Sequence, residues 1–153
     1  MRPSCGGGLG LAVPDAERLR NRKVIVVEDG PTLTHGGMTF GAATLVAEAH
    51  GAVIVDAQRS AVGSLADVYV NYPHLRRILP AMGYSPTQVL ELEETIRGSE
   101  AEIVLDGSPV DLGRLVRVPQ PIVPVTYTYD DLDRRVAGIL DQFLARHPSA
   151  PSA

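Results

Sequence analysis

Val24-Ile25-Val26-Val27-Glu28-Asp29-Gly30-Pro31-Thr32-Leu33-Thr34-His35-Gly36-Gly37 is the stretch that decides the fold. Its four successive β-branched residues read as a strand buried on both faces, the kind a parallel sheet requires. The strand ends on two acids, then turns through Gly30-Pro31 into threonines, a histidine and paired glycines. In open α/β folds ligands bind beyond the carboxyl ends of strands, so this polar turn stands where a site forms.

Working outward, Met38 to His50 reads as a helix stopped by Gly51. Ala52 to Asp56 is a second strand ending on an acid, and Ser64 caps a helix to about Val70, broken before Pro73. Leu79-Pro80-Ala81-Met82-Gly83-Tyr84 reads as a turn-rich link. Ser85-Pro86-Thr87-Gln88 is a capping box with proline at the first helical position, opening a helix to about Arg97. Ile103 to Leu105 is a third strand. Ile122 to Thr128, with prolines at its start, suits a sheet edge. Asp130-Asp131 open a final amphipathic helix to about Arg146. The alternation predicts an α/β fold, a mainly parallel sheet flanked by helices in a Rossmann-like three-layer sandwich. Residues 1–13 lack periodicity and read as a disordered leader, 14–146 as a single domain and 147–153 as a tail.

The composition narrows the function. In 153 residues, 44% are hydrophobic and 21% charged, the balance of a globular protein. A net charge of −4 offers no broad basic surface for nucleic acid. Cys5 is the sole cysteine, which excludes an internal disulfide and a cysteine-based metal site. No apolar run reaches membrane-span length and no signal-peptide core is visible, so a cytoplasmic location is expected. Lys23 is the single lysine and is followed by valine just before a strand, so it cannot serve a phosphate-binding loop.

Three polar loops are expected on one rim: Glu28 to His35, Asp56 to Ser64, and Asp106 to Asp111. Glu28 and Asp29 supply hard oxygens suited to magnesium. Thr32, Thr34, His35 and the amide of Gly36 suit an anionic oxygen, and Arg59 adds a charge-assisted contact. Ser64, His74, Ser108 and Asp111 complete the candidate phosphate-binding set. Each has a plainer reading. An acid at a strand end also serves as a solvated side chain or a cap on a neighbouring helix. His74 reads equally as a surface histidine, Arg76-Arg77 as a solvated pair, and Glu91, Glu93 and Glu94 as the wet face of a helix.

Several ordered motifs converge on one resemblance. They are Glu28 to Gly36, Tyr72-Pro73-His74, Leu79 to Tyr84, Glu91-Leu92-Glu93-Glu94-Thr95-Ile96 and Gly107-Ser108-Pro109-Val110-Asp111-Leu112. Together they resemble the C-terminal third of the cyclic 2,3-diphosphoglycerate synthetase group, the predicted GTPases, over about Pro14 to Asp130. The resemblance implies ATP-dependent, magnesium-assisted closure of a phosphoanhydride within a phosphorylated small molecule. Glu28, Asp29 and His35 would be the catalytic positions. The family's upstream nucleotide-binding segments have no counterpart here, so ATP is expected from a missing segment or a partner chain. This chain alone is then expected to be inactive, and it is compatible with a homo-oligomer. The alternative is a non-catalytic anion-binding or protein-interaction module left after loss of the nucleotide-binding segment. The sequence departs from the family pattern at Gly37, at Ala57-Gln58-Arg59-Ser60, at Ser108 and at Gly113.

Overall fold

A computed structural model describes residues 7–30, 33–34, 37–81, 83–131, 138, 142 and 145. The chain divides into two compact units, residues 11–126 and residues 1–10 with 127–153. In chain order the strands are β1 (Gly7–Ala12), β2 (Lys23–Asp29), β3 (Val53–Ile54), β4 (Ile78–Ala81), β5 (Ile103–Gly107), β6 (Ile122–Pro124) and β7 (Thr126–Asp131). The α-helices are α1 (Ala42–Ala49), α2 (Ser64–Asn71), α3 (Pro86–Gly98) and α4 (Leu112–Leu115).

The larger unit is the expected α/β fold, a parallel sheet flanked by helices. The sheet runs β3-β2-β5-β6, with β4 also pairing β2. β2 lies at its centre because Val24 to Val27 have no polar side chain to keep in water, and all four are fully buried. β6 is the sheet edge, as its prolines require. Leu79, Leu105, Ile96, Leu112 and Tyr69 fill the core around β2. Tyr69 takes its hydroxyl into that core because it donates to the Ile78 carbonyl at 2.7 Å. The Ser85 capping box is present as expected, with Gln88 as its reciprocal partner.

Some expectations change. Gly7–Ala12 is a strand paired with β7, where an irregular leader was expected. β7 continues through Asp131, so Asp130-Asp131 end a strand, and most of the expected final helix lies outside the described residues. The segment expected as a link before Tyr84 contains β4, four buried residues in register with Val26 to Asp29. Pro80 is tolerated because β4 pairs with β2 alone.

β4 also repositions a loop. β3 pairs only with Lys23 and Val24, so it stops halfway along β2, and β4 takes over beside Val26 to Asp29. The Asp56 to Ser64 loop therefore leaves the sheet at mid-height. It does not reach the rim formed by the ends of β2, β4 and β5.

Candidate functional site

Strand geometry separates the two acids that end β2. Successive side chains alternate between faces, and parallel partners in register share a face. Val27 is in register with Asp106 and Glu28 with Gly107. Asp29 thus falls on the Asp106 face and Glu28 on the opposite one.

Glu28 turns toward α1. Gly41, which precedes that helix, has no side chain to cap it. Glu28 supplies the cap from the neighbouring strand: its Oε1 accepts from the Thr44 amide at 2.8 Å and from Thr44 Oγ1 at 3.0 Å. Space for the carboxylate exists because residues 41 and 107 are glycines, whose absent Cβ atoms would collide with it. Burial raises the Glu28 pKa, and the amides of Thr44, Ala43 and Ala42 hold the rise in check. This geometry favours the helix-cap reading of Glu28 over a magnesium ligand.

Asp29 remains at the rim. It and Asp106 both act on the Tyr84 phenol, whose pKa is raised first by burial and then by these two carboxylates. Asp106 is itself buried. Its Oδ1 accepts from the Ser108 amide at 3.0 Å and from Ser108 Oγ at 2.5 Å, and its Oδ2 accepts from the Leu112 amide at 3.2 Å. Asp106 therefore shapes the loop into α4. Asp106 opens one of the loops expected at the rim, but neither it nor Tyr84 was among the candidate site residues. Asp106 carries the same signal as Asp29, an acid ending a buried strand.

The other expected residues scatter. Gly30, Leu33 and Thr34 are helical, and Thr34 Oγ1 donates back to the Gly30 carbonyl at 3.0 Å, where an open loop was expected. Thr32, His35 and Gly36 lie outside the described residues. Arg59 is 80% exposed and stands 3.7 Å from Asp56, whose Oδ2 also accepts from Nε and Nη2 of Arg76. Ser64 donates both its amide and its hydroxyl to Glu91, tying α2 to α3. Glu93 is buried between Arg97 and the Arg117 amide, so Glu94 is the exposed acid of that supposed wet face. Asp111 pairs with Arg114 at 3.1 Å on the surface. His74 is exposed and meets Tyr72 edge-on at 6.1 Å.

Among the described residues no group of three or more His, Cys, Asp or Glu could hold a metal ion. A magnesium ion bound mainly through water and substrate oxygens needs fewer protein ligands than such a group supplies. Among the described residues no helix is long and apolar enough to cross a membrane.

The chain is similar to arginine synthetase ArcE of Thermococcus kodakarensis, with 48% identity over 123 residues. That alignment spans 80% of this chain and 28% of the length of the relative. No protein-family model matches the chain, and no solved structure does.

Proposed function

We propose that this chain is a substrate-holding domain of a ligase that forms arginine or a close relative of it, with the reacting groups gathered at the ends of β2, β4 and β5. The observation that carries this reading is the likeness, over four-fifths of the chain, to a protein named as an arginine synthetase. The rim chemistry agrees with it. The described charged groups that end β2 and β5 are Glu28, Asp29 and Asp106, all acids. An acidic rim favours a cationic guanidino head, or a phosphoryl group accompanied by magnesium, over a bare polyanion. Asp29 and Asp106 are the residues that would hold magnesium, which when bound neutralises phosphoryl charge. Tyr84 stands close enough to both carboxylates for them to raise its phenol pKa. ATP is supplied from a segment or partner outside this chain.

The second reading is phosphoanhydride closure in 2,3-diphosphoglycerate, favoured by the ordered motifs from Glu28 to Leu112. It is weakened by Arg59, which is engaged with Asp56 away from the rim.

Calorimetric titration separates them: L-arginine and 2,3-diphosphoglycerate are each added to the chain, with and without magnesium and inorganic phosphate. Arginine binding that magnesium phosphate tightens, with the enhancement lost in Asp29→Asn, is the expected result. Preferential binding of diphosphoglycerate selects the second reading. Binding of neither ligand overturns both and leaves the non-catalytic module.

A further inference from the structure

A cavity of about 440 Å³ opens between α1 and the β3–β4 edge of the sheet, with Phe40, Leu45 and Ile54 in its apolar wall. Phe40 is 45% exposed, Leu45 44%, and Met38, two residues before Phe40, 40%. These three exposed side chains fall on one short stretch, the approach to α1 and its first turn. Exposed apolar residues scattered singly are ordinary, but a cluster beside a concavity marks a surface that something covers. The chain has two phenylalanines and only 5% aromatic residues, so a half-exposed phenylalanine at a cavity is not surplus from an aromatic-rich core.

The charges on this face also come as a complementary set. Glu48 belongs to the α1 wall of the cavity and Arg77 to the opposite wall, the segment leading into β4. Both side chains belong to exposed residues, and among the described residues neither forms an ion pair. Arg76, beside Arg77, is committed to Asp56.

We propose that this face joins two copies of the chain about a twofold axis, Phe40 of each entering the cavity of the other and Glu48 of each meeting the other's Arg77. A twofold interface uses one patch twice, so the patch must be its own complement. This one is, in two respects. It carries an exposed aromatic next to an apolar cavity, and a free acid and a free base on opposite walls, which the axis exchanges. A face built for an unrelated partner needs only one member of each pair, since the partner brings the other. The aromatic supplies the buried anchor that dominates interface energies, and the charges fix orientation more than they add affinity. The pairing of copies is independent of the ligase reading, which places its chemistry at the rim.

Sedimentation equilibrium of the whole chain over a wide range of concentration tests this. The expected result is a reversible dimer of twice the chain mass, weakened about ten- to hundredfold by Phe40→Ala and by Leu45→Asp. Arg77→Glu and Glu48→Arg should each weaken it about tenfold alone, because each sets like charges against one another twice. An equal mixture of the two charge variants should regain the wild-type affinity, since every acid then meets a base. Arg114→Glu, away from this face, should leave the dimer as it was, and circular dichroism confirms that each variant is folded. A chain that stays monomeric overturns the proposal and leaves the face to a different partner, such as one that carries the nucleotide. A dimer that ignores Phe40→Ala and Leu45→Asp places the contact elsewhere and overturns it as well. A dimer sensitive to both, whose charge variants gain nothing on mixing, overturns the reciprocal arrangement.

Discussion

Both ends of the central strand pair carry acids and use them in opposite ways. At the amino ends of β2 and β5, Arg22 meets Glu102 at 2.5 Å and Lys23 meets Glu100 at 2.6 Å, all in solvent. Those contacts hold the Glu100 and Glu102 carboxyls below the usual carboxylate range, Glu100 chiefly through the Lys23 ammonium and Glu102 through the Lys23 amide and then Arg22. At the carboxyl ends, Glu28 and Asp106 are buried and take backbone amides as partners in place of cations. Water screens the first set, so its ion pairs contribute little to stability. The second set replaces missing helix caps inside the protein, where an unsatisfied amide has no water to turn to. An acid at a strand end therefore has no fixed meaning until its burial and partners are known.

The largest effect that would break this contrast is expected from Glu28→Ala. It strips α1 of its cap and leaves buried amides unpaired, a loss of about 2–4 kcal/mol by denaturant unfolding. An undiminished midpoint would mean that Glu28 is dispensable to the fold and free for ligand chemistry. The same residue sets a pH dependence. Its folded pKa is raised, so between the ordinary glutamate value and the folded value the native state holds more protons than the unfolded chain. Stability contributed by Glu28 accordingly falls as pH rises through that window. Glu28→Gln should flatten this part of the stability profile, and an unchanged slope would assign the dependence elsewhere.

Asp106→Ala is expected to cost less, about 1–3 kcal/mol, because it frees the Ser108 and Leu112 amides at a loop closer to the surface. It should also lower the Tyr84 pKa, readable by phenolate absorbance, since one of the two carboxylates acting on that phenol is removed. The smallest effect belongs to Glu100→Gln, which should leave the thermal midpoint unchanged in physiological salt. A clear drop there would mean that the amino-end pairs act as a network, and the contrast between the two ends would blur.

Much of the architecture was legible in advance. The run Val24 to Val27 can only be a central buried strand, and Ser85 to Gln88 marks a helix start through local hydrogen bonds alone. β4 escaped detection because Leu79-Pro80-Ala81 carries a turn residue and no periodicity, and only its pairing with β2 makes it a strand. The candidate site was legible as a neighbourhood rather than as a set of residues. Glu28 and Asp29 are adjacent in the sequence and chemically alike, yet the alternation of the pleat sends one to cap α1 and the other to the rim. Arg59 and Ser64 drop away because β3 ends early, a fact of register that no local pattern encodes.

The sequence by itself therefore determined the α/β class, the central strand and the sheet edge, because burial on two faces and the lack of a proline amide are properties of the residues themselves. Only the tertiary structure decided which polar groups are spent on the backbone and which face outward. That choice depends on what lies across the sheet: Gly41 and Gly107 making room for one carboxylate, and Glu48 and Arg77 lining one cavity from distant parts of the chain.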